Sequence, residues 1–191
     1  MEVVVKSLIG IFTVVDGKVN ILMDGNNLFS VICSDNVEIE NQNFIDSNFD
    51  INDLDLKQCY TFSEREDDKL VISIIYSDII NYDSIKSGNF ILMPIDKMNK
   101  DIYIEKLIEC LKKELLLNST IKKLYPGEFI LPEIQKIYEN LLNKKYDRRN
   151  FRKRLIKLDV IEDLNKMSEN KIGRPAKLYR FKDITEDKIL F

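Results

Sequence analysis

The sequence predicts an α+β fold, with strands and helices segregated along the chain. Three observations carry this. Residues 1–100 are filled by β-branched apolar runs separated by turn signals, a pattern that reads as strands. From Tyr103 the apolar spacing becomes helical: Ile104, Leu107, Ile108, Leu111 and Leu115 recur at i, i+3, i+4, i+7 and i+11. The charge also divides. Ser119–Lys182 holds 17 Lys and Arg against 8 Asp and Glu, net +9; the remainder holds 12 against 24, and the whole chain is at −3. That asymmetry predicts modules with different partners, bounded at 1–100, 101–124 (a helical linker) and 125–191.

The strands come in order. Val3–Val15 is apolar with little helical period, and the Asp16–Lys18 turn joins it to Val19–Met23 as a hairpin. A second turn, Asp24–Asn27, precedes a strand at Leu28–Ser34. The Asn- and Asp-rich interval Asp35–Leu56 reads as loops with short helical or strand pieces. Leu56–Phe62 is a short strand, Ser63–Lys69 a charged loop, Leu70–Ile80 a strand apolar enough to be central, and Asn89–Ile95 a further strand. The helix beginning near Tyr103 is broken by Asn118–Thr120.

In the last module Tyr125–Phe129 reads as a turn. Leu131–Leu142 is a helix with Pro132 in its first turn, where proline is tolerated. Its apolar stripe is Ile134, Ile137, Tyr138 and Leu141. Asp147 is placed to cap the next helix. On a wheel, Phe151, Leu155 and Leu158 share one face, whereas Arg149, Arg152, Lys153, Ile156 and Lys157 point away and Asn150 sits at the edge. Val160–Leu164, a polar loop over Asn165–Ala176, and Lys177–Phe181 fit a hairpin with a basic tip at Gly173, Arg174 and Pro175.

Two short helices, the second apolar inward and basic outward, followed by a basic hairpin, form the order of a winged helix-turn-helix. A helix fits the major groove of duplex DNA, and its outward side chains reach base edges and phosphates. The expected DNA-contacting residues are Arg148, Arg149, Asn150, Arg152, Lys153 and Lys157 on the helix, with Lys171, Arg174 and Lys177 on the hairpin. The competing reading of such a charge run is a solvated helix face.

Composition excludes much else. The chain has no histidine, which removes His-based acid–base and nucleophile systems. It has no CxxC pair, GxxxxGK[ST] loop or GxGxxG turn. Three scattered cysteines fit thiols in a reducing compartment. No apolar run nears the roughly 20 residues of a membrane span, and the N-terminus, with an acid at position 2, is a poor signal peptide. A cytoplasmic protein with no membrane partner and no cofactor is expected.

The segments PEIQKIYE, YDRRNFRKRL and GRPAKLYRF, in this order over about 55 residues, resemble the C-terminal winged-helix domain of the Nudix-related transcriptional regulators that control NAD metabolism in bacteria. IGIFTVVDGKVNILM is similar to the first hairpin of that family's Nudix-like domain, and LDLKQCYTFSEREDDKLVISIIYSDII to its strand, charged loop and long strand. The resemblance implies a Nudix-like mixed β-sheet domain with few helices, an α-helical linker and a winged helix-turn-helix. It also implies a non-catalytic, homodimeric repressor of a double-stranded DNA operator, released by an effector such as ADP-ribose. The departure lies between Met23 and Leu54, which is too short for a Nudix box and lacks REXXEEXG; Glu38 and Glu40 stand two apart without that context. Without clustered carboxylates a magnesium site has no ligands, so no metal is expected, and the box helix is expected to be missing. Candidate effector contacts are Tyr60, Phe62 and Tyr76 as pocket walls and Lys57 and Arg65 as phosphate partners; each also fits a sheet-core aromatic or an exposed cation. Two rival classes remain: a Nudix-type diphosphate hydrolase with atypical ligands, and a winged-helix protein-interaction module.

Overall fold

Glu2–Val15 forms one 14-residue strand, β1, whose length lets it pair with three neighbours in a computed structural model of the chain. The model describes residues 2–99, 101–169, 175–184 and 186–191. The chain divides into two units, Met1–Val14 with Asn20–Leu111, and Val15–Val19 with Lys112–Phe191.

β1 of the first unit turns at Asp16 and Gly17, which count with the second unit and are both at positive φ (52° and 71°), into β2 (Lys18–Met23). β3 (Phe29–Cys33), α1 (Val37–Asn48), β4 (Phe49–Ile51), β5 (Lys57–Glu66), β6 (Lys69–Ile79), β7 (Ile85–Gly88), β8 (Ile91–Pro94) and α2 (Ile102–Glu114) follow. The main sheet runs β5-β6-β1-β2-β8, with β3 also on β1. It is mixed: β1 and β6 are parallel from Glu2↔Lys69 to Phe12↔Ile79, and β5 is antiparallel to β6.

Successive β1 side chains alternate between the two faces. Ile9 and Ile11 join Ile45 of α1, Phe29 and Phe49 in one buried cluster. Gly10 faces the other way, toward α2, where an added Cβ would lie 2.7 Å from Leu107 Cδ2. Ile104, Leu107, Ile108 and Leu111 are the buried stripe of α2, as the spacing predicts.

Two expectations for this unit are corrected. Asp35–Leu56 is not mainly loop, since it holds the 12-residue α1, which carries no REXXEEXG signature. One of the Asn residues that suggested a loop acts as the helix cap. Asn36 accepts from the Ile39 amide at 3.0 Å. The Glu40 carboxylate turns back to the amides of Ser34 and Asp35, each at 3.1 Å, which ties the chain entering the helix to its first turn. Its apolar anchors are few, Phe44 and Ile45, so no stripe announces it. Second, the charged stretch from Ser63 is strand through Glu66, and only Asp67 and Asp68 turn. β5 ends the sheet order, where charged side chains discourage further strand pairing.

The second unit holds α3 (Asn118–Leu124), β9 (Phe129–Ile130), α4 (Leu131–Leu142), α5 (Arg148–Lys157), β10 (Ile161–Met167) and β11 (Lys177–Phe181). Asn118–Thr120, expected only to break a helix, begins α3. The Ser119 amide and hydroxyl both donate to the Asp187 carboxylate, at 2.9 and 2.8 Å. β9, β10 and β11 form a small antiparallel sheet in the order β10-β11-β9. Its core is aromatic: Phe129, Tyr179 and Phe181 are buried. Residues after β11 cross back over the unit. The Leu190 amide donates to the Leu116 carbonyl at 2.7 Å, and the Phe191 ring stacks on Phe151 at 4.7 Å between centroids.

Candidate nucleic-acid interface and ligand cleft

α5 is held by its apolar side and its cap. The Asp147 carboxylate accepts from the Asn150 amide at 2.9 Å, and Phe151 and Leu155 are buried. Arg148, Arg149, Asn150, Arg152, Lys153 and Lys157 are all exposed. Among the described residues, Arg148, Arg149, Lys153 and Lys157 form no ion pair. This row of cations is therefore free to meet an external anion.

Arg154, in the same basic run, points elsewhere. Its Nε donates to the Leu190 carbonyl, and its guanidinium lies over the Phe191 ring, 5.8 Å from the centroid. It anchors the tail to α5, a role the sequence reading did not assign.

The turn between α4 and α5 is fixed by Glu139. Its carboxylate accepts from Gln135 Nε2 at 2.8 Å and from the Tyr146 amide at 2.9 Å. Lys145 Nζ lies 3.1 Å away. Gln135, the Tyr146 amide and Lys145 together hold the Glu139 carboxyl down at about 2. Tyr138 of α4 and Tyr146 of the turn both pack on Phe151, centroids 6.0 and 5.8 Å away, which sets how α5 leaves the turn.

The hairpin of β10 and β11 forms the wing. Asp163 lies opposite Tyr179. Its Oδ2 is 2.7 Å from Lys177 Nζ and 3.8 Å from Arg152 Nη2. Its Oδ1 accepts from the Asn165 amide at 3.0 Å. The Lys177 ammonium first, then the Asn165 amide, hold this carboxyl below its ordinary range. The expected contacts Lys171 and Arg174, with Gly173 at the tip, lie outside the described residues; Pro175 is described and precedes β11.

In the first unit a cleft of about 660 Å³ opens on the α2 side of the sheet. Lys6 and Leu8 of β1, Asn26 and Asn27 of the turn after β2, Lys97 and Tyr103 are among its lining residues. The Lys6 ammonium lies 5.9 Å from the Tyr103 ring centroid. Tyr103 donates its hydroxyl to Glu64 Oε1 at 2.9 Å; burial first, then this carboxylate, raise the phenol's pKa. Two ammonium groups, amides and an aromatic ring over an apolar floor suit an anionic small molecule with a planar part. Sequence reasoning missed this cleft. Its one signal is Lys6, a lone cation inside the apolar run Val3–Val15.

Of the five candidate effector residues, Tyr60 and Phe62 come together and Tyr76, Lys57 and Arg65 lie apart from them. Phe62 stands edge-on to Tyr103 with centroids 5.1 Å apart, and Tyr60 packs on Phe62 at 4.7 Å. These two back the Tyr103 wall. Tyr76 is opposite Ile9 and so faces α1; it is buried. Arg65 pairs with Leu70 beside the β5–β6 turn, while Lys57 pairs with Ser77 at the other end, roughly 25 Å away at ~3.3 Å per residue. On α1 Glu40 is engaged in capping Ser34 and Asp35, and no group of three acidic or Cys side chains able to hold a metal occurs among the described residues. Among those residues no helix is long and apolar enough to cross a membrane.

Comparison with known proteins follows the same division. Residues 121–181 match the family model described as the NrtR DNA-binding winged helix domain. The ADPR responsive transcriptional repressor NtrR of Acinetobacter baylyi is 42% identical over 60 residues. That match spans 30% of this chain and 23% of the relative, so the chain aligns with about a quarter of that relative's length. Shewanella oneidensis NrtR, in a crystal structure with a 27mer DNA, superposes with a TM-score of 0.71 at 20% identity, covering 93% of each chain. A MutT/nudix family protein from Enterococcus faecalis gives a TM-score of 0.61 at 14% identity over 95% of this chain and 87% of its own. Residues 121–181 are thus similar to the NrtR DNA-binding winged helix domain, and the chain shares the fold of the NrtR and MutT/nudix structures.

Proposed function

We propose that the protein is a sequence-specific DNA-binding transcriptional regulator, a repressor, whose Nudix-like domain senses an anionic metabolite and does not hydrolyse it. The observation that carries this reading is the outward face of α5, where Arg148, Arg149, Lys153 and Lys157 are exposed above buried Phe151 and Leu155. A helix so anchored enters the major groove, with arginines for base edges and lysines for phosphates. The cationic cleft is the effector site, and ADP-ribose is the first ligand to try, since the Acinetobacter relative is named as responsive to it. Glu40 serves the fold rather than a metal, which favours sensing over hydrolysis. As a reader of palindromic half-sites the protein would act as a homodimer, in the cytoplasm, with control of NAD metabolism as its setting.

The test is fluorescence anisotropy on a duplex from the gene's own upstream region, against a scrambled duplex of equal length, over a salt series. Preferential binding to the native duplex, weakened by ADP-ribose, is expected. Equal weak binding to both duplexes that vanishes with salt would overturn the reading and turn attention to a protein partner for the winged helix.

A further inference from the structure

One carboxylate stands inside the basic surface and is shared by two of its cations. The aromatic face of the wing, carrying Ile161, Tyr179 and Phe181 in the core, continues toward the tip with Asp163 and Lys177. Asp163 Oδ2 is 2.7 Å from Lys177 Nζ on β11 and 3.8 Å from Arg152 Nη2 on α5. The Arg152 guanidinium also lies over the Tyr179 ring, 5.9 Å from its centroid. Asp163 does not swing freely, because its Oδ1 is engaged by the Asn165 amide at 3.0 Å, where Asn165 turns at φ 54°. The side chain of Asp163 is 27% exposed and that of Arg152 is 47% exposed, so the pair sits at the surface with the arginine still open to a partner.

An acid at this place opposes attraction to any polyanion, yet it costs the two cations differently on different DNA. A guanidinium has five N–H donors in a planar fork. With one arm toward Asp163 and its charge held near the Tyr179 ring, the other arm is left for a bidentate contact to a base edge. Taking Arg152 or Lys177 to a phosphate instead breaks its pair and leaves a bare carboxylate beside the backbone. We propose that Asp163 is a positioning residue for DNA readout: it orients Arg152 for a base edge and withholds both Arg152 and Lys177 from indiscriminate phosphate contact. This rests on the DNA-binding reading above and adds to it a device for specificity.

The experiment uses the full-length protein and a duplex enriched by the wild type from a random pool, with a scrambled duplex as reference. Asp163→Asn keeps size and the acceptor for the Asn165 amide while removing the charge. Its ratio of selected to scrambled affinity is expected to fall roughly tenfold, within the range one oriented arginine–base contact contributes. Its salt slope on scrambled DNA is expected to steepen by about one to two units, since each newly contacted phosphate adds about 0.9. In an Arg152→Ala background the Asp163→Asn change is expected to leave the ratio where Arg152→Ala alone put it. An unchanged ratio and slope would overturn the proposal. So would an equal loss on both duplexes with a lowered melting temperature, the mark of a merely structural residue. Failure of the wild type to enrich any duplex would instead sink the DNA-binding reading itself and the proposal with it.

Discussion

Tyr138 donates its phenol proton to the Leu115 carbonyl at 2.6 Å. The ring is fully buried and touches Phe151 and Phe191. This one bond ties α4, and through Phe151 the helix α5, to the backbone just after α2. Burial first, and the nearby Tyr146 second, push the phenol far above its ordinary range, so it remains a donor throughout the physiological range. Tyr138→Phe would leave a buried carbonyl unpaired, at a cost of about 1–3 kcal/mol. A urea titration of the full chain, followed by hydrogen exchange in α4 and α5, checks this; unchanged protection there would contradict it.

Glu139 predicts an acid-sensitive turn. A carboxyl held at about 2 in the folded chain, against an ordinary value of 4.5, contributes stability that is complete above the unfolded value. That contribution is lost as pH falls from 4.5 toward 2. Melting of wild type and Glu139→Gln across this interval should therefore converge at the acid end and diverge toward neutrality, with the variant lower. Parallel curves would mean that Glu139 does not hold the turn.

Gly10 lies under Leu107, with no room for a Cβ: the added atom would come within 2.7 Å of Leu107 Cδ2. Leu107 is fully buried and has little freedom to retreat. Gly10→Ala is expected to destabilise the chain by about 1–3 kcal/mol through overpacking. Leu107→Ala in the same chain should recover part of that loss, so the double mutant would be more stable than the sum of its singles. Additive losses would show that the two side chains do not compete for the same space.

The cleft can be tested separately from DNA. Lys6→Met keeps most of the stem and removes the ammonium that lies 5.9 Å from the Tyr103 centroid. If the cleft takes an anion, calorimetric titration with ADP-ribose should give an affinity roughly tenfold weaker than wild type, about the contribution of one charge-assisted bond. Equal affinities would move the ligand elsewhere on the domain.

Where the signal was local, the sequence could be read closely. Leu131–Leu142, with Pro132 in its first turn, and Lys177–Phe181 have the bounds read from the sequence. Asp147 announced α5 because its cap lies three residues from its partner. The helix α1 was missed because its apolar anchors are few; the other misses share a cause, a stabilising group distant in sequence. α3 begins at Asn118, and its first turn is held by Asp187, 68 residues on from Ser119, whose amide donates to it. β5 continues through four charged or polar residues because β6 pairs with it to Glu66↔Lys69. The cleft gathers β1, the turn after β2, β8 and the start of α2, so no single window contains it. Asp163 looked like an ordinary acid because its two cations come from other elements.

The segment after β11 has a consequence for synthesis. A nascent chain that has reached Phe181 already contains the recognition helix and both described strands of the wing. At that moment α3 has no Asp187 carboxylate at Ser119, the Leu116 carbonyl awaits the Leu190 amide, and the rings of Tyr138, Tyr146 and Phe151 lack Phe191. Translation arrested there would release a product with its cations in place but its helices poorly clasped and open to proteases. The order in which the ribosome delivers the residues thus puts the fastening after the part that it fastens.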